Sequence, residues 1–214
     1  MKKFLSLFLL LILTLHGCKK EDEFSFAFIT DIHIQPELDA DKGFQQAVNT
    51  LNKLNPDFVI TGGDLVRDAL DVIPERAELL YDLYEETSAE LNMPVYNTIG
   101  NHEIFGWHSD DPEVQNHEDF GKKMYEKRIG ERYYSFDHKG WHFIVLDAIE
   151  RRENGRYFGH ISDEQIEWLK QDIQKTGKET PIAISVHIPF YTARTQLVAG
   201  SQAASDSGLV ITNA

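Results

Sequence analysis

The chain has 214 residues, 42% hydrophobic and 26% charged, which suits one well-packed domain with short extensions and excludes a fibrous or disordered protein. Its 21 basic and 35 acidic side chains give a formal charge of −14, which argues against a generic nucleic-acid binder, because such a protein needs a basic face to displace counterions. A phosphate-bearing ligand would have to find positive charge in a local source such as bound metal.

Lys2 and Lys3 precede the apolar run "FLSLFLLLILTL", which at 12 residues is too short to span a bilayer and reads as the core of a secretory signal. It ends at "LHGC", and Cys18 is the single cysteine, so no internal disulfide can form. Leu15, Gly17 and Cys18 resemble a bacterial lipoprotein signal, which implies cleavage after Gly17 and a lipid on Cys18; the alternative is an incidental thiol in a leader. The following "KKEDE" resembles the short signals that display some lipoproteins on the outer cell surface, and reads equally well as a solvated linker. The expected organisation is a signal over 1–17, a tether over 18–23 and one domain over 24–214, exported and lipid-anchored in the cell envelope. Removing residues 1–17 deletes two lysines and takes the charge from −14 to −16.

Beyond residue 24, short apolar runs alternate with amphipathic stretches, the signature of an α/β domain, and there is no internal repeat. "FSFAFIT" (24–30) is the first expected strand. "DKGFQQAVNTLNKL" (41–54) has Phe44, Val48, Leu51 and Leu54 at helical spacing and stops at "NP". "DFVIT" (57–61) is the second strand, and residues 74–91 form a helix with Pro74 in its first turn. "PVYNTI" (94–99) is the third strand; an acidic loop follows over 103–118, then a short helix in "EDFGKKMYEKR". "RYYSFDHKGWHFIVLD" reads as a hairpin around "DHKG". "RRENGR" (151–156) is a small basic run, read as a solvated turn in preference to an anion contact. Ser162 and Gln165 spell a capping box with Ile161 and Ile166 as the apolar staple across it, and "PIAISVH" (181–187) is the last clear strand.

Polar residues recur at the strand ends: Asp31 and His33 in "TDIH", Asp64 in "TGGD", Asn101 and His102 in "IGNHE", and His187 in "SVHIP". Ligands of open α/β sheets gather beyond the carboxyl ends of strands, so these groups could meet. Each motif alone is a plausible turn or rim feature; their joint occurrence points to metal. Carboxylate and imidazole without thiolate suit zinc, manganese or iron. Asp31 and His33, two apart on an extended segment, would point the same way. Asp64 could bridge two ions, which at about 3.5–4 Å apart polarise a phosphoryl group and generate hydroxide.

"DIH", "GGD", "GNHE" and "VHIP", in this order, resemble the calcineurin-like metallophosphoesterases from about Phe26 to Pro189. The resemblance implies a four-layer αββα sandwich holding two transition metals (Mn, Fe or Zn). It implies Asp31, His33 and Asp64 on the first metal, Asp64, Asn101 and His187 on the second, and His102 as the catalytic imidazole. Asp68 would orient His102, or serve as a helix-start carboxylate. The expected substrate is a phosphomonoester or phosphodiester, on a small molecule or a phosphoprotein, with no nucleic acid and with the membrane reached through Cys18. The family closes its site with a G-H-x-H motif, whereas residues 188–214 contain no histidine and leave little chain to complete a second sheet. The expectation is therefore a truncated member, with a catalytically impaired surface lipoprotein as the alternative to an enzyme.

Overall fold

The computed structural model describes residues 23–190. The signal, Cys18 and most of the tether fall outside them, as do residues 191–214.

A parallel sheet comes first, in the order β1 (Phe26–Ile29), β2 (Phe58–Thr61), β3 (Val95–Asn97). Parallel neighbours need a crossover, and two helices supply it: α1 (Ala40–Leu54) and α2 (Pro74–Ser88). α1 buries Phe44, Val48 and Leu51, and ends on Asn55, whose left-handed backbone (φ 50°) lets its N–H donate to Leu51 O. α2 starts as expected, on Pro74 behind the extended Ile73, and closes three residues short of 91 at Ser88.

The second sheet is mixed, in the order β4-β5-β8. β4 (Tyr134–His138) pairs antiparallel with β5 (Trp141–Leu146), which runs parallel to β8 (Ile182–Val186). The two sheets meet through an aromatic layer in which the Phe58 ring lies 5.1 Å from that of Phe143 and the Tyr96 ring stacks on Phe136. Val59 turns the other way, toward Leu51 of α1. On the far side of the second sheet, α5 (Asp163–Lys175) brings Asp172 to Ser135 and His142. The period-two alternation of β2 and β5 thus builds the four layers that the resemblance implies: α1 and α2, parallel sheet, mixed sheet, α5. A buried pair of hydroxyls, Thr98 Oγ1 and Ser185 Oγ at 2.7 Å, ties the sheets together near the ends of β3 and β8.

Two local readings change, and the expected turn over 151–156 gains flanking strands. Residues 103–118 are no plain acidic loop: Ile104, Phe105 and Trp107 join the core, and α3 (Pro112–Gln115) starts on the Asp111 cap. α4 (Lys123–Arg128) returns the chain to the second sheet. The run 151–156 is the turn of a hairpin between β6 (Ile149–Arg151) and β7 (Tyr157–Gly159), whose strands were too short to register as a period. Finally, only half of the capping box forms. Ser162 accepts from Gln165 N, but the Gln165 side chain turns inward to Asp147, accepting from its N–H and donating to its C=O. That side chain is buried, so satisfying a buried backbone pair outweighs the reciprocal cap.

Candidate metal centre

Every residue of the strand-end motifs lies just beyond a carboxyl end: Asp31 and His33 after β1, Asp64 after β2, Asn101 and His102 after β3, His187 after β8. The route to this convergence differs from the expectation for Asp31 and His33. They do not continue the strand: both hold left-handed backbone (φ 54° and 48°), as does Asp64 (φ 53°). Such conformations cost non-glycine residues on the order of 1–3 kcal/mol and need outside support. It comes from a ladder across the two loops, with Asp31 N donating to Gly63 O and His33 N to Asp64 O. The two side chains still meet, His33 Nε2 lying 3.9 Å from Asp31 Oδ1.

Asp64 is the hub. Its Oδ2 faces His33 Nε2 at 3.6 Å and His102 Nε2 at 3.8 Å, while Oδ1 faces His187 Nε2 at 3.2 Å and accepts the His102 backbone N–H at 3.1 Å. Each carboxylate oxygen therefore has its own imidazole company. The 3.6–3.9 Å spacings around His33 are too long for hydrogen bonds and suit side chains sharing one cation. His33 Nδ1 is buried without a hydrogen-bond partner among the described residues. His33, Asp64 and His102 offer ligand atoms all within 4.8 Å of one another, so the donor set fits a metal ion. Asn101 is buried at the head of the 3-10 turn Asn101–Glu103, beside His102.

Burial alone would push the Asp64 carboxyl up, yet the His187 imidazole bonded to it brings it below the usual range. His187 moves the opposite way: burial pulls it down, but Asp64 and the Gly62 carbonyl, which accepts from Nδ1 at 2.7 Å, raise it further. The pair thus favours a shared proton, and a cation held between Asp64 and His187 would compete with it. Burial also lowers His102, and the carboxylates of Asp68 and Asp64 outweigh it, so the net movement is upward. Asp68 Oδ1 stands 3.6 Å from His102 Nδ1, an ion-pair distance that leaves Nδ1 without a hydrogen bond. The proposed orienter is thus in place beside the ring, anchored by Leu70 N, which donates to it at 2.9 Å.

Two residues escaped the sequence reading. Glu103, fully buried, accepts four backbone N–H groups: those of Asp64 and Gly100 on Oε2, those of Leu65 and Val66 on Oε1. It clamps the loop carrying Asp64 to the loop carrying Asn101 and His102. Burial pushes its carboxyl up to about 7, with the Asp64 charge adding and the backbone donors opposing. Its signal was the acid directly after His102, in a segment otherwise entering the core. The second is Tyr157 on β7, whose hydroxyl burial and then the charges of Asp64 and Asp68 push up. Nothing in its local sequence marks it.

Two glycines permit the close approach. A side chain on Gly63 (φ 92°) would overlap the His187 ring at 2.7–2.8 Å, and one on Gly100 would meet Asp64 N at 2.2 Å. The glycines of "GGD" and "GNH" are therefore required by the packing of the site.

A family model described as calcineurin-like phosphoesterase matches residues 24–209. Among solved structures, a dimetal phosphatase from Danio rerio superposes with a TM-score of 0.57 at 14% identity, covering 78% of this chain and 70% of that one. GAP50, the anchor in the inner membrane complex of Plasmodium, superposes at 0.39 and 15% identity over 79% and 56% of the two chains, too loosely to carry an argument. No curated protein sequence matches. The Danio likeness speaks to the fold, while the family match runs through every strand end that feeds the cluster around Asp64. The chain belongs to the calcineurin-like phosphoesterase family.

Proposed function

We propose that the protein hydrolyses phosphomonoesters or phosphodiesters with two transition-metal ions. Asp31, His33 and Asp64 would hold the first, and Asp64, Asn101 and His187 the second. The observation that carries this reading is the division of Asp64: one oxygen toward His33, the other toward His187, as a carboxylate shared between two cations requires. When bound, such ions polarise phosphoryl oxygens and lower the pKa of water to near neutrality. They also supply the positive charge that the acidic surface lacks.

The protein's own groups do the rest. His102 presents Nε2 to the centre and Nδ1 to Asp68. Asp68 favours the ring with a proton on Nδ1, and the raised pKa favours the protonated imidazole. Nε2–H can then donate to the oxygen that leaves with the substrate alcohol. Glu103 keeps the His102 and Asp64 loops in register, so the acid and the bridging carboxylate are positioned together.

Purified protein should bind up to two manganese, iron or zinc ions, and Asp64→Ala should abolish both binding and hydrolysis of p-nitrophenyl phosphate. Full turnover in Asp64→Ala would sink the proposal; weak or absent metal binding, with no dependence of activity on His102, would favour the catalytically impaired lipoprotein. Anchoring at the envelope through lipid on Cys18 belongs to the same proposal and is supported by the leader sequence. Cys18→Ser should then move the protein out of the membrane fraction, and unchanged membrane recovery would count against it.

A further inference from the structure

A cleft of about 1060 Å³ opens beside the metal centre, between the Trp107–Asp110 segment and the β6–β7 turn. Its volume matches a small-molecule site. Its lining excludes the metal-centre residues, so the two are neighbours and not one pocket. They are joined in two ways. Gly106 N and His108 N donate to Ala69 O and Leu70 O, which docks this segment directly behind Asp68. Tyr157 lines the cleft and is close enough to Asp64 and Asp68 to respond to their charge.

The charge of this cleft contradicts that of the protein. With 35 acidic side chains available, Arg76, Arg128 and Arg132 are all in salt bridges, while Arg67, outside the cleft, is exposed and, among the described residues, in none. Among the described residues, Arg151, Arg152 and Arg156 are in none, although Asp110 and Glu153 line the same cleft. Arg151 is structural: it donates to Trp107 O at 3.2 Å and covers the Phe120 ring. Arg152 lies over the Phe158 ring at 4.7 Å, which occupies its face and leaves the N–H edge free to donate. Arg156 is exposed on the same turn, and the turn is held by Arg152 N donating to Arg156 O at 2.7 Å. Also lining the cleft, the His108 and Tyr157 rings stand nearly parallel, 6.0 Å between centroids and 12° between planes.

We propose that Arg152 and Arg156 form an anion subsite. The substrate of the metal centre is then a small phosphoester with a second anionic group, phosphoryl or carboxylate, at the far end of its leaving group. The scissile phosphate sits at Asp64, the connecting atoms run along His108 and Tyr157, and the distal anion meets the two guanidinium groups. This inference rests on the phosphoesterase reading above.

Two measurements test it. In metal-loaded protein, hexane-1,6-diol bisphosphate and 6-phosphooxyhexanoate should be cleaved with kcat/KM at least tenfold above hexyl phosphate. The Arg152→Ala/Arg156→Ala double variant should erase that advantage and leave p-nitrophenyl phosphate hydrolysis within twofold of the unaltered protein; the Lys double variant should restore part of it. Calorimetric titration with hexane-1,6-bisphosphonate, 6-phosphonohexanoate and hexylphosphonate reads the subsite independently of turnover. The two doubly anionic probes should bind about tenfold tighter than hexylphosphonate (about 1.4 kcal/mol), less so at high salt. The tighter of the two identifies the second group. Equal binding of all three probes, or equal loss of all substrates in the double variant, overturns the subsite. No hydrolysis of any ester with metal bound, alongside arginine-dependent probe binding, would overturn the phosphoesterase reading and leave the subsite standing.

Discussion

Gly100→Ala adds one methyl group at a position whose backbone would accept it. Gly100 is extended (φ −105°, ψ 179°), so alanine brings no conformational strain and any effect must come from contact. The new Cβ would lie 2.2 Å from Asp64 N, 2.4 Å from Asp64 Oδ1 and 2.8 Å from Glu103 Oε2. Ordinary carbon contacts begin near about 3.5 Å, so the Asp64 loop must retreat by roughly 1 Å. That loop is held by His33 N on Asp64 O at 2.9 Å and by Asp64 N on Glu103 Oε2 at 3.0 Å, and both bonds would stretch. Overpacking costs about 1–3 kcal/mol and each of the two weakened hydrogen bonds about 1 kcal/mol, for a sum of roughly 3–5 kcal/mol. In a chain of this size the Tm should fall by roughly 6–20 °C. A displacement of the Asp64 carboxylate by about 1 Å should also lower kcat/KM on p-nitrophenyl phosphate by about a hundredfold.

The internal control is Gly43→Ala, in the first turn of α1, where a Cβ meets nothing within 4 Å. It should raise stability by about 0.5–1 kcal/mol with activity unchanged. Thermal melts and steady-state kinetics on the two variants decide the matter. If Gly100→Ala melts and turns over like the unaltered protein, or Gly43→Ala loses as much, the packing argument for the site is wrong.

Glu103→Ala strands four backbone N–H groups in the interior, and a buried orphan donor costs about 1–3 kcal/mol before water fills the gap. Urea unfolding should show a loss of at least about 3 kcal/mol; less than about 1 kcal/mol would remove Glu103 from its clamping role. His102→Ala should retain metal but lose about 10²–10⁴ in kcat, and Asp68→Asn should shift the pH profile of kcat with smaller loss. Metal lost with His102 would make that residue a ligand instead, as its nearness to His33 and Asp64 also allows. His142, buried on β5, is drawn down by burial but raised overall by its bonds to Asp137 and Asp172 at 2.7 and 2.8 Å. A histidine raised in the folded state stabilises most below its unfolded pKa and loses that contribution as pH rises through the folded value. Urea unfolding of His142→Gln against the unaltered protein should therefore show a larger gap, about 1–2 kcal/mol, at pH 6 than at pH 9. A gap that grows with pH would reverse the assignment.

What the sequence made legible was whatever depends on period and punctuation. α1 is readable because Phe44, Val48 and Leu51 repeat on one face and Asn55-Pro56 stops them. β2 and β5 are readable because four and six apolar-rich residues are bounded by turn signals. The hairpin β6–β7 was not, since three-residue strands carry no period and are set by where the chain must turn. Gln165 was misassigned to its local cap because the competing partner, Asp147, is distant in sequence and only burial decides between them.

The site shows the same division at finer scale. Residue types at strand ends singled out Asp31, His33, Asp64, Asn101, His102 and His187 as candidates, because ligand chemistry is written in side chains, and the fold places all six beyond the carboxyl ends of strands. How they converge is written in the backbone: three left-handed acid or histidine positions, each stabilised by a partner loop, and two glycines with no room for a methyl group. An extended Asp31–His33 pair would have placed both side chains on one face of β1. The left-handed turns instead swing the segment onto the Gly63–Leu65 loop, whose carbonyls accept from it at 2.9–3.0 Å. Asp64 is thereby pressed between β1 and β3, where Glu103 takes its N–H and His187 its oxygen. The bridging role proposed for Asp64 therefore depends on Glu103 as much as on the imidazoles, and a chain that kept every candidate ligand but replaced Glu103 would lose the register between the Asp64 loop and the Gly100–His102 segment.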